Sequence, residues 1–428
     1  MTSNTILTDP EPPEAVLDHV EPGADIIVPN ANGEPVTLVD TLEEHAGTLR
    51  GVRIHQMHAL RERRYINGEF GDHLRHVSYF LAPATRQPYL SGNCDLMPNH
   101  FSEVPDLLRR HTKCSLVIAA ASPPNRQGYF SLGTNCDYTA TLIGRVPFFL
   151  EANQQMPRTF GGNQVHVSQI AGWTEVDYPL VEAHAMVPTD KDEAIAALVA
   201  DRIPNGATIQ AGIGGMPNAL LAMLKGHKEL GVHTELLSDG VIDLIEAGVV
   251  TGVHKNFRRG KIVATLALGS RRLYDFLHEN TAIDFVPVDW VNDPRVIARE
   301  PNFVSINATT EVDFYGQCAS ETAGGRYLSS SGGQYDFSRG AMYSENGQGF
   351  IVLHSTTRDG SISKIRPTLS PGSVVTTSKN TVDKIVTEFG VAQMRGRTIR
   401  ERAQGLIAIA HPRFRDELTE AARTMAVI

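Results

Sequence analysis

Short continuous apolar runs, bounded by Gly, Pro, Asn or Asp, alternate with stretches whose apolar positions lie three and four residues apart. The first pattern predicts buried strands of a parallel sheet, and the second predicts helices packed against it. In the first half, a short helix from Glu14 to His19 leads through Glu21-Pro22-Gly23 to a strand over 25–28. A loop over 29–35 and a helix through His45 follow, then strands over 52–57, 116–121 and 147–151. Residues Leu116 to Ala121 are apolar and β-branched enough for a central parallel strand, which ends in the turn-rich segment 122–130. Thr189 with Asp192 makes a capping-box pattern ahead of a helix over 193–203. Beyond it, strands are expected over 208–211, 233–237, 261–267, 284–287, 350–354 and 373–377, with a helix over 270–279. Gly, Ser and Thr are dense from Val304 to Gly349. A second capping box, Thr398 with Glu401, and the pair His411-Pro412 open the terminal helices.

Strands separated by helices and long loops predict open α/β sheets, with ligands bound beyond the carboxyl ends of the strands. An internal repeat points to two such sheets. Pro22-Gly23-Ala24-Asp25-Ile26, followed by Gly33-Glu34-Pro35 and Leu38, parallels Asn205-Gly206-Ala207-Thr208-Ile209, followed by Gly215-Met216-Pro217 and Leu220, with a single one-residue gap. Both copies read helix, turn, strand, Gly/Asn-rich loop, helix. The boundary suggested by the capping box divides the chain into residues 1–187 and 188–428, with 1–13 as a polar, proline-rich arm.

At 428 residues the chain is too long for one ordinary core, since domains commonly run about 100–200 residues. A composition of 41% hydrophobic and 20% charged residues excludes a disordered chain. The formal charge of −9, with Lys and Arg scattered, gives no reason to expect a nucleic-acid or anionic-membrane surface. Cys94, Cys114, Cys136 and Cys318 lie far apart without CxxC spacing, as expected of reduced thiols in the cytoplasm. No apolar run reaches the roughly 18 residues of a membrane span.

Two stretches carry candidate chemistry. In Gln210-Ala211-Gly212-Ile213-Gly214-Gly215-Met216-Pro217, Gly212, Gly214 and Gly215 follow a strand and precede a helix. Such a turn can hold an anion or oxyanion on its N–H groups, or can simply be a tight corner. Pro217 stands where a dinucleotide fingerprint needs its third glycine, and no Gly-Lys-Ser/Thr is present, so neither common nucleotide loop applies. Glu235 is a lone carboxylate beside Leu236 and Leu237; it is either an exposed strand-end charge or a general base or nucleophile. Weaker candidates are Cys318, Glu321, the loop Ser329-Ser330-Ser331-Gly332-Gly333, and the cations Lys364 and Arg366 as phosphate partners. The pairs His55/His58 and His73/His76 lack a third ligand in the local sequence, and no metal is expected.

Several of these segments together resemble the acetyl-CoA hydrolase/transferase family of class I CoA-transferases, which includes 4-hydroxybutyrate and butyryl CoA-transferases. The carrying segments are residues 210–219, His233 to Gly240, Leu268 to Tyr274, Val288 to Pro294, Asn307 to Glu311, Ser331 to Phe337, Val386 to Gly390 and Arg400 to Pro412. In the first half, Ser122-Pro123-Pro124, Gly128-Tyr129 and Met156 to Thr159 also match. The resemblance implies two similar open α/β CoA-transferase domains with the active site between them. It maps the catalytic glutamate onto Glu235, and a residue contacting the reacting acyl group onto Asn292. Gly332 and Gly333 fall near the thioester oxyanion, and Gly212, Gly214 and Gly215 in the same cleft. Lys364 stands as a partner for coenzyme A. The implied substrates are acyl-CoA and a small carboxylic acid, with no tightly bound cofactor, and the implied assembly is a homodimer or homotetramer. The implied reaction is CoA transfer through covalent glutamyl intermediates, with acyl-CoA hydrolysis by the same glutamate as the alternative. Many relatives have Asn or Asp near the positions of Ala319 to Glu321, so the acyl preference stays open. Asn153, Met156 and Arg158, with Arg75 or His76, are the candidates to select it.

Overall fold

The computed structural model describes residues 9–428 apart from His184, Ala185 and Ile213. Most of the arm 1–13 and the centre of the segment 183–188 therefore lie outside the described residues. The chain forms two compact units: residues 1–184 with 263–291, and residues 185–262 with 292–428. This differs from the 187/188 division. Residues 263–291, expected in the second half, cluster with the first unit.

The first unit is built on a seven-stranded parallel sheet: β1 (Asp25–Ile27), β2 (Val52–Gln56), β3 (Leu74–Ser78), β4 (Cys94–Leu96), β5 (Leu116–Ala121), β6 (Phe148–Asn153) and β7 (Ile170–Val176), in the order β4-β3-β2-β1-β5-β6-β7. Strand β5 is buried at every position, as its unbroken apolar run requires of a strand covered on both faces. Helix α1 (Val36–Glu44) turns Leu38, Val39 and Leu42 onto Ile26, Ile54 and Ile118 to make the core.

The second unit holds a six-stranded sheet: β8 (Thr208–Ala211), β9 (Gly231–Val232), β10 (Phe303–Ala308), β11 (Gln348–Val352), β12 (Lys384–Thr387) and β13 (Gly390–Gln393). Its order is β9-β8-β10-β11-β12-β13, parallel except for the closing hairpin β12–β13. Its helices include α2 (Asp190–Ala200), α3 (Gly215–Met223), α4 (Gln334–Tyr343), α5 (Ile399–Ile409) and α6 (Arg415–Thr424). Both capping boxes form, Thr189 with Asp192 ahead of α2 and Thr398 with Glu401 ahead of α5.

The repeat is visible in the backbone. Gly23 (φ +70°) and Gly206 (φ +76°) turn the chain into β1 and β8, positions that L side chains rarely adopt. Their N–H groups make matching bonds, to Arg50 O at 2.7 Å and to Lys228 O at 2.9 Å. In both units the strand after this turn is the one at which chain order reverses, between β1 and β5 and between β8 and β10. Ligands of open α/β sheets bind at this reversal, beyond the carboxyl ends.

Three expected strands come out differently. The run 233–237 is interrupted: β9 stops at Val232, a short strand covers Leu236–Leu237, and Glu235 sits in the bend between them. The run 261–267 breaks at Thr265, whose carbonyl takes the N–H groups of Cys136 and Asp137. Residues 373–377 form no continuous strand: Thr377 pairs with Cys318 in an isolated antiparallel bridge, and Val374 N–H is taken by Thr322 Oγ1.

Ile118 is fully buried at the centre of the first unit. Ile118→Ala should cost about 2–5 kcal/mol in urea unfolding; a loss under about 1 kcal/mol would contradict a tightly packed central strand.

Candidate active site

The carboxyl ends of β8 and β9 feed two loops that begin side by side. His233 N–H bonds Ile209 O at 3.1 Å, extending the β8–β9 ladder by one residue. The Thr234 hydroxyl lies 3.3 Å from Ala211 O, the last residue of β8, and 3.2 Å from Leu236 O. This local bonding bends the backbone and turns Glu235 out of the strand. On the β8 side the chain enters the glycine turn. Gly214 has φ +126°, open only to glycine, and caps α3; Gly215 lies against Asp192, whose Oδ2 would be 3.0 Å from an added Cβ. Ile213 is outside the described residues.

Asn292 and Gly333 complete the setting of Glu235. Asn292 is fully buried at the point where the chain re-enters the second unit, and its Nδ2 donates to Glu235 Oε2 at 2.7 Å. Gly333 caps α4 and donates its backbone N–H to the same carboxylate. Gly332 before it has φ +54°. Gly333 is required for closeness rather than conformation: a Cβ there would fall 2.0 Å from Glu235 Oε2 and 2.4 Å from Asn292 Nδ2. The other amide atom, Asn292 Oδ1, is buried and accepts no hydrogen bond among the described residues.

Loss of hydration pushes the Glu235 carboxyl up to about 7, from an ordinary 4.5, against the pull of the Asn292 and Gly333 donors. The residue as a whole is only partly buried. Near neutral pH it is thus a weakly hydrated anion, partly protonated and held by two donors. That is a competent nucleophile toward a carbonyl carbon.

Residues 10–190 match the family model described as the acetyl-CoA hydrolase/transferase N-terminal domain, and residues 269–422 match that of its C-terminal domain. The chain belongs to the acetyl-CoA hydrolase/transferase family. It is 43% identical over 407 residues to the succinyl-CoA:cyclohexane-1-carboxylate CoA transferase of Geobacter metallireducens, covering 95% of this chain and 93% of the relative. It is 40% identical to the 4-hydroxybutyrate coenzyme A transferase of Clostridium kluyveri, covering 95% of each. The crystal structure of RipA from Yersinia pestis superposes with a TM-score of 0.93 at 34% identity, covering 98% of each chain.

The remaining candidates of this acetyl-CoA hydrolase/transferase family member fall in several places. Lys364 sits with Lys191 around Glu388, where Lys191 Nζ is 3.3 Å from Glu388 Oε1. Burial lowers the Lys364 ammonium, Glu388 opposes the shift and Lys191 adds to it. Arg366 lies 3.6 Å from Glu311, which also accepts from Ser370 and Ser373. Cys318 is fully buried and its thiol is raised by that burial, which leaves it inert. Glu321 is raised by burial and accepts from Thr376 Oγ1 at 3.0 Å.

The first-unit candidates have internal partners. Arg158 donates to the carbonyls of Tyr129 and Pro123, Asn153 is bonded to Tyr178, and Met156 is buried. Arg75 pairs with Asp72 and Asp95, and His76 is fully buried, with burial lowering its imidazole to about 3. His55 lies between Asp25 and Tyr79, and His58 stacks on Phe80. Among the described residues no three His, Cys, Asp or Glu side chains gather as a metal site, and no helix is long and apolar enough to cross a membrane. Spacing gave no hint of one supporting contact. Gln334, the first residue of α4, donates to Ser320 Oγ at 2.9 Å and Thr377 Oγ1 at 3.1 Å, tying the helix start to two distant loops.

The folded protein binds the Glu235 proton more tightly than the unfolded chain does. This group's contribution to stability is therefore fully present below pH 4.5 and is lost as pH rises through about 7. Glu235→Gln, which cannot ionise, should gain stability relative to the native chain across that window, and the difference should level off above about pH 8. A difference independent of pH would show that Glu235 titrates normally. Separately, Asn292→Ala removes one donor to the carboxylate, so the Glu235 titration followed by 13C NMR should move above 7. A downward move would show that Asn292 does not stabilise the anion.

Proposed function

We propose that this protein transfers coenzyme A from an acyl-CoA to a free carboxylic acid, with Glu235 as the covalent nucleophile. The observation that carries the reading is the partly dehydrated Glu235 carboxylate, held by Asn292 Nδ2 and the Gly333 N–H at the carboxyl end of the sheet. The names of its full-length relatives support the reaction class.

In the first step a Glu235 oxygen attacks the thioester carbonyl. The C–S bond breaks, leaving an acyl-glutamyl anhydride and CoA thiolate. The thiolate attacks the glutamyl carbonyl, releases the donor acid as its carboxylate and leaves a glutamyl-CoA thioester. The acceptor carboxylate attacks that thioester to give a new anhydride and thiolate. The thiolate then attacks the acceptor carbonyl, and Glu235 is freed. Each tetrahedral intermediate carries an oxyanion, for which the Gly332-Gly333 segment supplies backbone donors; one such donor is typically worth about 3–4 kcal/mol. The turn at Gly212, Gly214 and Gly215 and the ammonium of Lys364 are assigned to the anionic parts of coenzyme A. Water must be kept from both intermediates, because its attack on either would convert transfer into hydrolysis.

An acyl-CoA incubated with a 13C-labelled carboxylic acid should yield labelled acyl-CoA in amounts that depend on the acid. Peptide mass spectrometry should find CoA, or its borohydride-reduction product, on Glu235. Glu235→Ala should lower exchange by at least about a thousandfold. Release of free CoA without any dependence on an acceptor acid would replace transfer with hydrolysis.

A further inference from the structure

We propose that His233 is a positioning residue for Glu235: set edge-on against Phe303 and Phe337, its ring fixes the spacing between the strand end that carries the glutamate and the helix start that holds it. This rests on the reading of Glu235 as the nucleophile. His233 is fully buried two residues before Glu235. Its ring meets Phe303 of β10 at 5.9 Å and 83°, and Phe337 of α4 at 6.3 Å and 79°. The two phenylalanines stack on each other at 6.1 Å and 16°. Edge-to-face and offset-stacked pairs at these separations are the favoured aromatic geometries.

The path from this cluster to the reacting group is short at both ends. Phe337 N–H donates to Gly333 O at 3.0 Å, so the ring lies one helical turn from the glycine whose own N–H meets Glu235. At the other end, the bond from His233 N–H to Ile209 O fixes the backbone just ahead of the Thr234–Glu235 bend. The three rings therefore set how near α4 stands to the glutamate loop. The contact they set has little slack, since even a methyl group on Gly333 would overlap the carboxylate. Misplacement of a reacting group by about 1 Å commonly costs about a hundredfold in rate. The role proposed rests on a flat ring of this size at position 233. Burial, the Asn292 amide and the Gly333 N–H account for the Glu235 titration, and neither donor group ionises.

The variants to compare are His233→Ala, His233→Phe and Phe337→Leu in the full chain. The readouts are kcat, KM for acyl-CoA, and the Glu235 titration in 13C-glutamate-labelled protein, assigned by the signal lost in Glu235→Gln. His233→Ala should lower kcat by about a hundredfold with KM changed by less than about threefold, and should raise the Glu235 titration as the Gly333 donor drifts away. His233→Phe should keep both within about fivefold of the native values, and Phe337→Leu should shift the titration in the same direction as His233→Ala. If His233→Ala does not fold, Phe337→Leu carries the test. Equal impairment of His233→Phe and His233→Ala would overturn the proposal in favour of imidazole chemistry, and so would a folded His233→Ala with native kcat and titration. If the native protein forms no glutamyl-CoA, CoA transfer fails as the function, while the titrations still decide whether His233 positions Glu235.

Discussion

A carboxylate that must attack a carbonyl needs to be ionised and poorly hydrated at once, and these demands oppose each other. For the role proposed for Glu235, the second unit meets them with the 2.7 Å bond from Asn292 and the N–H of Gly333. Desolvation alone would keep the group protonated, and free hydration would blunt its reactivity. The two donors hold the balance near neutrality. Glycine at 333 follows from this constraint, because no side chain fits between the helix start and the glutamate. The bend at Thr234 follows too, since a continuous strand would leave residue 235 in the ladder.

The sheets supply the rigidity that this balance requires. In each unit the strand after the Gly23 or Gly206 turn lies at the reversal of chain order, where loops from neighbouring strands diverge and leave a crevice. In the second unit the glycine turn leaves β8 at this reversal, and the Glu235 bend leaves the neighbouring β9. The start of α4 is fixed separately, through Gln334 on Ser320 and Thr377. The first unit repeats the frame with other contents: its candidate Arg158, Asn153 and His76 are bonded or buried within the unit.

Much of this was legible in the residues, for identifiable reasons. Leu116 to Ala121 is apolar at every position, which only a doubly covered strand explains. The boxes Thr189/Asp192 and Thr398/Glu401 satisfy helix donors through local side chains, so spacing alone reveals them. The run 233–237 misled because Thr234 bonds its own neighbourhood in place of a ladder, and hydrophobicity does not register that choice. Residues 373–377 pair at Thr377 alone, through a bridge to Cys318, so an apolar run there does not become a strand. The strand Leu74–Ser78 shows no apolar run, because Arg75 and His76 break its rhythm, although His76 is buried. Motif resemblance brought Glu235, Asn292 and Gly333 together. The ring contact among His233, Phe303 and Phe337 joins residues too far apart in sequence for spacing to suggest it.

The assignment of residues 263–291 to the first unit bears on how the protein is made. The chain changes unit three times, at 184/185, 262/263 and 291/292, so neither unit is a single uninterrupted segment. During synthesis the first unit lacks Leu273, Leu277 and Phe285, all buried in the finished structure, until about two-thirds of the polypeptide has been translated. Asn292, the first residue after the excursion, cannot take its place beside Glu235 before then. The nascent chain therefore cannot join Asn292 to Glu235 while its first unit is incomplete, and a gene split at the midpoint would yield two fragments that each lack part of a core.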